Sequence, residues 1–245
     1  MTLDTNRIVR ELAMEMPDAT RIFEKLRIDY CCGGHKPLKD ACAAAGVNAE
    51  EVARLLEETT RSQDQSVASA DSKTPSLAEL ASYIVNKHHT FTKQEMERLE
   101  ALLAKVCSAH GANHPELLKI NASFHKLCEE LKPHMFKEEQ VLFPYIVRME
   151  EATTNRQIPL PPPFGTVRNP VRMMMLEHEA AGDALREMRE LSSHYIAPPD
   201  ACISFKTLYQ ALEAFEQDLH QHIHLENNIL FPRALEMEHS MLAHT

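Results

Sequence analysis

The chain has 245 residues, a formal net charge of −10 and a hydrophobic fraction of 44%. This acidity argues against nucleic acid as a partner, because phosphate binding relies on a basic surface. No apolar run approaches the length of a membrane span, and the first residues lack a signal core, so we expect a cytoplasmic protein with reduced cysteines and no membrane partner. With only 6 glycines, no Trp and many Ala, Leu, Glu, Met and Lys residues, the composition favours an all-α fold.

Residues 1–60 are predicted to form a small helical domain. A helical stripe begins at Ile8, and Asn48 fits the N-cap position of the domain's last helix. Between them lies the turn-rich Cys31-Cys32-Gly33-Gly34. Two adjacent cysteines suit a soft-metal site or a redox thiol site, and they equally suit two small buried hydrophobic residues at a turn. The residue types leave these alternatives open.

Residues 61–75 are polar and Ser-rich, which predicts a flexible linker. Ser76 and Glu79 then form a capping box, the start of a four-helix bundle over residues 76–245. Pro133 and Pro144 are expected to kink or interrupt the second helix. The four bundle helices are predicted over about 76–110, 115–151, 170–195 and 200–238.

An internal repeat lies within the second and fourth bundle helices. His134 and Glu138 are four residues apart, as are His222 and Glu226, and in both copies Leu-Phe-Pro follows after three further residues. Positions i and i+4 share a helix face, so each pair directs an imidazole and a carboxylate to one place. One such pair is usually a surface contact. Two matched copies indicate a duplicated metal-binding hairpin.

Each repeat should also contribute a histidine from its preceding helix. Nearly the same offset separates His89 from His178. Four imidazoles and two bridging carboxylates would leave each of two ions an open position, which is typical of a di-iron site in a helix bundle. Spacing alone does not distinguish iron from manganese. The predicted metal ligands are His89, His134, Glu138, His178, His222 and Glu226.

Four acidic residues are candidates for supporting this site. Glu130 and Asp218 each precede a predicted ligand histidine by one turn and are placed to accept its free N–H. Glu177 and Glu179 flank His178, and one of them is a candidate proton relay; a solvated charged face is the alternative for all four. The histidines interpreted as solvated or capping residues are His88, His110, His114, His125, His194, His220, His224, His239 and His244.

The six predicted ligands match the pattern of hemerythrin-like di-iron domains, and Asp29-Tyr30-Cys31-Cys32-Gly33-Gly34 resembles the signature of a small N-terminal domain. Over nearly its whole length the chain therefore resembles the di-iron iron–sulfur cluster repair proteins. The resemblance implies two iron ions in an oxo- and carboxylate-bridged centre. It also implies a cytoplasmic stress protein whose partners are iron–sulfur proteins damaged by nitric oxide or oxidants.

One departure from the oxygen-carrying hemerythrins bears on the role. Those proteins have a second histidine one turn after the ligand of the third helix, where this chain has Gly182. The last helix also carries Glu226 where the carriers have an aspartate one residue later. The loss of a histidine leaves a metal ion more accessible, which favours iron donation or nitric oxide chemistry over reversible oxygen transport.

These observations lead to a hypothesis of iron delivery, in which loosened iron passes to the thiolates of Cys31 and Cys32 and then to a damaged cluster. The chain is accordingly not assigned as an enzyme. One rival is a nitric-oxide-binding scavenger or sensor, and another is a nitric oxide reductase, for which the sequence names no electron donor. A metal-free interaction domain would require the repeat to be coincidental. Homodimer formation is left open.

Overall fold

The computed structural model describes residues 3–16, 18–64, 75–155, 157 and 162–243. The predicted all-α fold is confirmed: within these ranges the regular elements are helices, and β-pairing is limited to one isolated bridge between Ile8 and Pro37. None of the described helices is both long enough and apolar enough to cross a membrane. Internal contacts divide the chain into a first unit, Met1–Pro75 with Ile223–Ile229, and a second unit, Ser76–His222 with Leu230–Thr245.

The first unit contains four short helices around an apolar core. Leu12, Phe23, Leu38 and Leu56 are buried in that core, and each comes from a different helix, so the core ties all four together. The helices are α1 Val9–Glu15, α2 Ala19–Leu26, α3 Leu38–Ala45 and α4 Ala49–Asp64.

Helix α4 runs four residues into the segment predicted as a linker. No glycine or proline occurs between Asn48 and Pro75, so nothing in the local sequence ends the helix at residue 60. Residues 65–74 of the predicted linker lie outside the described residues. The division at residues 60 and 75 stays a prediction.

The bundle consists of four helical arms, three of which contain a π-helical turn. The predicted capping box of Ser76 and Glu79 at the start of the first arm is confirmed. The arms are α5 Leu77–Tyr83, the π turn Ile84–His89 and α6 Thr90–His110; α7 Glu116–Lys137, the π turn Glu138–Leu142 and α8 Phe143–Thr154; α9 Arg168–Leu191; and α10 Ile203–Leu225, the π turn Glu226–Leu230 and α11 Phe231–Ala243.

The repeated Leu-Phe-Pro triplets explain two of the π turns. Pro144 and Pro232 each stand just after a π turn. A proline has no backbone N–H and its ring clashes with the carbonyl four residues earlier, which here belongs to the π turn itself. The helix therefore widens before each proline and then continues, so Pro144 does not end its arm. Pro133 lies inside α7, which also continues past it.

The repeat extends to the far end of each hairpin. There a glutamate of the hairpin's second arm caps the N-terminus of its first arm. The backbone N–H groups of Leu77 and Ala78 donate to Glu150 at 2.7 and 2.9 Å. The N–H of Val167 donates to Glu238 at 2.8 Å. Both glutamates lie six residues after the proline of their repeat. Each hairpin thus uses its second helix to satisfy the exposed N–H groups, and the positive dipole end, of its first.

We predict that Glu150→Ala lowers the free energy of unfolding by about 1–2 kcal/mol, since it removes a charged cap from the N-terminus of α5. The matched control is Glu151→Ala, because Glu151 is exposed on the same helix. Urea unfolding of the metal-free protein gives the comparison. Equal midpoints for the two variants would show that the cap contributes nothing.

Candidate metal centre

The structure brings all six sequence-predicted side chains into one buried cluster. Their donor atoms form two groups of four, and within each group all atoms lie within 4.8 Å of one another. Two carboxylates belong to both groups, whereas each histidine pair belongs to one. The groups are His89, His222, Glu138 and Glu226, and His134, His178, Glu138 and Glu226.

The imidazoles meet in pairs through their Nε2 atoms. The Nε2 atoms of His89 and His222 are 3.1 Å apart, and those of His134 and His178 are 3.0 Å apart. Glu138 Oε2 lies 3.4 Å from His89 Nε2 and 3.3 Å from His134 Nε2. One carboxylate oxygen therefore contacts a member of each pair, so Glu138 lies between the two pairs.

Local helix geometry accounts for these positions. His134 stands in the last turn of α7 and Glu138 opens the π turn that follows, while His222 and Glu226 repeat this arrangement at the end of α10. The i,i+4 spacing directs both members of each pair to one side of the arm. The helix widens from each glutamate onwards, one turn after its histidine.

A carboxylate also holds the outer nitrogen of one histidine in each group. Glu139 Oε1 lies 2.7 Å from His89 Nδ1, and Lys93 Nζ donates to the same oxygen at 2.6 Å. Such a contact keeps the proton on Nδ1 and turns the Nε2 lone pair towards the cluster. Sequence reasoning missed Glu139. The signal that could have indicated a carboxylate here is Lys93, a cation one turn after the predicted ligand His89.

His134 makes the equivalent contact with a glutamate of α9. Its Nδ1 lies 2.7 Å from Glu177 Oε2, and Lys137 Nζ donates to the other carboxylate oxygen of Glu177. The hydrogen bond from His134 is the main reason that the pKa of Glu177 is lowered to about 2, with burial opposing and Lys137 assisting. Burial also opposes the shift at Glu139, but hydrogen bonds from Lys93 and His89 lower its pKa. Both carboxylates are therefore anions at neutral pH.

The expected contact between Glu130 and His134 is not formed. Glu130 pairs with Lys126 at 3.9 Å, and it is Glu177 that holds His134. Glu177, one of the two candidate relays that flank His178, thus contacts a histidine of the neighbouring arm. The reason is geometric. The imidazole of His134 is directed into the bundle, where a side chain of the facing helix reaches its outer nitrogen and a residue one turn earlier on the same helix does not.

The prediction for Asp218 and the solvated interpretation of His88 are also wrong. Asp218 Oδ1 lies 3.0 Å from His88 Nδ1, so the aspartate supports His88 and not the predicted ligand His222. His88 is 1% exposed, and its ring stacks on that of His222 at 5.9 Å between centroids and 14° between planes. Successive helix residues point in different directions, so His89 faces the cluster while His88 faces α10.

Cys31 and Cys32 lie in a tight loop of the first unit. Asp29 Oδ1 accepts the backbone N–H groups of Cys31, Cys32 and Gly33 at 3.2, 3.0 and 2.9 Å. The two cysteines are not joined by a disulfide bond, and their sulfurs are 3.9 Å apart, with Cys31 buried and Cys32 partly exposed. The hydrogen bond to Cys32, burial and the charge of Asp29 raise the pKa of Cys31. Gly34 is required here, since a Cβ would lie 2.4 Å from the Tyr30 carbonyl oxygen.

Two side chains of the segment Ile223–Ile229 hold the same loop within the first unit. Asn228 Nδ2 donates to the carbonyl oxygen of Tyr30 at 3.1 Å and to His224 Nδ1 at 2.9 Å. Burial lowers the pKa of His224 to about 4, so the solvated interpretation of this histidine is wrong as well. A buried, neutral imidazole that accepts from an amide has a structural role.

A cavity of about 380 Å³ lies beside one half of the cluster. Its outer lining residues are exposed on α7 and α9, and its inner lining includes buried His134 and His178. Neither His89 nor His222 lines it. This cavity therefore gives a route to the His134 and His178 half of the cluster. The acidic and basic lining residues are Glu129, Glu130, Lys137 and Glu177.

The burial of the two shared carboxylates supports a metal site. Glu138 and Glu226 are both 0% exposed. Buried carboxylates are costly unless a cation or a strong pairing compensates them. Imidazole and carboxylate donors without a thiolate suit iron and manganese among the first-row metals. The residues present fit two bridged divalent ions.

We predict that Glu177→Gln weakens divalent-metal binding by roughly 10- to 100-fold, the usual effect of removing the partner of a ligand histidine. Glu179→Gln is the control, since Glu179 is exposed on the same helix. Competition with a chelator measures the affinity. An unchanged affinity would mean that Glu177 does not support the site.

Comparison with known proteins places this geometry in a family. Residues 5–60 match ScdA_N, described as a domain of unknown function, and residues 80–234 match the hemerythrin HHE cation binding domain. A probable iron–sulfur cluster repair protein of Haemophilus influenzae is 34% identical over 92% of this chain and 95% of its own length. The iron–sulfur cluster repair protein YtfE of Yersinia pseudotuberculosis is 31% identical over 95% of this chain and 98% of its own length. The chain therefore belongs to the family of iron–sulfur cluster repair proteins, and in it the ScdA_N match precedes the hemerythrin HHE match.

Proposed function

We propose that this protein repairs damaged iron–sulfur clusters by holding two iron ions in the buried cluster and donating iron. The observation that carries the proposal is the pair of donor groups sharing Glu138 and Glu226. The names of the relatives, which are iron–sulfur cluster repair proteins, support the choice of activity and of iron. In this account the iron is cargo, so it must be both held and released.

Each donor group would hold one ion. His89 and His222 would bind the first and His134 and His178 the second, with the two carboxylates shared. Glu139 and Glu177 would keep the imidazoles of His89 and His134 in the binding tautomer. These anions also add negative charge near the cluster, which favours retention of a cation.

Release would begin at the half of the cluster beside the cavity. His134 and His178 line the cavity, so a chelating group can approach the ion they hold without unfolding an arm. The ion at His89 and His222 has no such approach through this cavity. We therefore propose sequential release, with the iron at His134 and His178 leaving first.

Cys31 and Cys32 are the proposed acceptors of the iron. Cys32 is partly exposed and would meet an incoming ion first, while the raised pKa of Cys31 means that its proton must be displaced before its sulfur binds. The 3.9 Å between the sulfurs allows one ion to contact both.

The alternative function is nitric oxide binding or reduction at the same two ions. The cavity supports it, because a diatomic molecule can reach His134 and His178 by the route proposed for iron. In either case we propose that the protein acts in the cytoplasm. Homodimer formation stays an untested expectation.

The test is iron transfer from the loaded, full-length protein to an apo iron–sulfur protein. We predict that the double variant Cys31→Ser and Cys32→Ser binds as much iron as the wild type, since neither residue is in the cluster. Its rate of iron transfer should fall to the rate at which iron dissociates into solution. Cys107→Ser is the control, a partly buried thiol of α6 whose sulfur contacts the Leu117 carbonyl oxygen.

Full transfer by the double variant would eliminate the two cysteines as acceptors. Formation of a nitrosyl species without any transfer by the wild-type protein would favour the nitric oxide alternative. Rapid loss of only half the bound iron to a chelator, followed by a slow phase, is the result expected for sequential release.

A further inference from the structure

A second pair of side chains at helical spacing accompanies the ligand pair of the fourth arm. His222 and Glu226 face the metal centre, and His224 and Asn228 each follow one of them by two residues. Residues two apart on a helix point in nearly opposite directions, whereas residues four apart share a face. The pair of His224 and Asn228 therefore faces away from the metal centre. Both side chains are nonetheless buried, at 5% and 8% exposed.

This second pair contacts the backbone of the cysteine loop. Asn228 Nδ2 donates to the carbonyl oxygen of Tyr30 at 3.1 Å and lies 3.4 Å from that of Cys31. It also donates to His224 Nδ1 at 2.9 Å. Because that ring nitrogen accepts, the amide must present its nitrogen to the loop and not its oxygen. His224 thus orients the side chain of Asn228.

The loop is held on both sides of its backbone. Asp29 accepts the N–H groups of the loop, as described above, and Asn228 donates to its carbonyl groups. The ring of Tyr30 packs edge-on against His224 at 5.3 Å between centroids, which fixes the start of the loop. Opening of the loop around Cys31 therefore requires the contacts of Asn228 to break.

The first copy of the repeat indicates that the metal ligands do not need this second pair. Its equivalent positions, two residues on either side of Glu138, are Phe136 and Gln140. Phe136 is 64% exposed, and Gln140 is exposed as well. Both copies nevertheless place their histidine and glutamate in the same cluster. The buried pair of His224 and Asn228 therefore serves the cysteine loop and not the ligands.

We propose that His224 and Asn228 are positioning residues for Cys31 and Cys32, and that the π turn Glu226–Leu230 couples the metal centre to the cysteine loop. The glutamate that opens this turn belongs to both donor groups, so departure of either ion changes its surroundings. Iron on this glutamate fixes the turn, and the fixed turn holds the loop closed. Loss of iron loosens the turn, so the thiols become accessible when iron is leaving the cluster. The inference rests on the proposed function, in which the two cysteines accept the iron.

The experiment measures the rate at which iodoacetamide alkylates Cys31, because a thiol that is 5% exposed reacts only when its loop opens. The full-length protein carries Cys32→Ser, which leaves a single thiol in the loop, and peptide mass spectrometry follows the reaction with and without Fe²⁺. Cys42 is fully buried in the core of the first unit. Rates are compared as the ratio of Cys31 to Cys42, which removes changes in the stability of the whole unit.

Asn228→Ala is compared with Gln140→Ala, its equivalent in the first copy of the repeat. In the metal-free protein, Asn228→Ala should speed the alkylation of Cys31 by about fivefold, the effect of losing a neutral hydrogen bond. Gln140→Ala should leave the rate unchanged. Fe²⁺ should slow the reaction by a similar factor in the parent protein and in Gln140→Ala, but not in Asn228→Ala.

His224→Phe is the second variant, because the first copy of the repeat has Phe136 at this position and a phenyl ring can still pack on Tyr30. It removes the acceptor that orients Asn228 and should therefore abolish the effect of Fe²⁺ as well. Circular dichroism and bound iron verify that each variant folds and loads. A variant that does not load is judged on its metal-free rate alone.

Either of two results would overturn the proposal. One is an equal metal-free rate for Cys31 in Asn228→Ala and Gln140→Ala. The other is protection by Fe²⁺ that survives both Asn228→Ala and His224→Phe, which would place the iron directly on the thiol. Since alkylation is followed and not iron transfer, these results would remove the coupling and leave the proposed function to its own test.

Discussion

Two carboxylates, Glu138 and Glu226, are fully buried among four imidazoles, and the rest of the bundle is arranged to make that possible. Burying two carboxylates this closely together is unfavourable unless cations or strong pairing compensate their charge. The same cost explains why charged side chains surround the cluster in pairs. Lys93 and Lys137 donate to the two glutamates that hold the imidazoles. The same arrangement of charges therefore determines both the stability of the bundle and its metal binding. Removal of metal should lower the free energy of unfolding of the whole bundle.

A duplicated hairpin is an economical way to build such a centre. Each copy supplies one histidine from its first helix and a His–Glu pair from its second, and each closes on itself through a glutamate that caps its own first helix. The Leu-Phe-Pro triplets widen the second helix of each copy beside the ligands. The described cavity lies on one half of this arrangement, where His134 and His178 line it.

The repeat and the helical spacing were sufficient to predict which six residues come together, since both are properties of a single helix face. The all-α fold followed from composition and the capping box from two residues. The supporting residues were predicted poorly. Glu139 and Glu177 act across the gap between arms, and no periodicity within one helix reports which side chain faces an imidazole from another. His88 was misjudged for a related reason: its burial depends on the packing of α10 against the first arm, not on its own neighbours in sequence.

The most direct test of the central claim is the metal content of the purified, full-length protein beside a Glu138→Ala and Glu226→Ala double variant. A second double variant, Glu97→Ala with Glu213→Ala, changes two exposed glutamates and serves as the control. We predict about two irons per chain in the wild type and the control, and loss of both in the variant lacking the shared carboxylates. A folded wild-type protein that cannot be loaded with iron, or a Glu138 and Glu226 variant that keeps both ions, would contradict it.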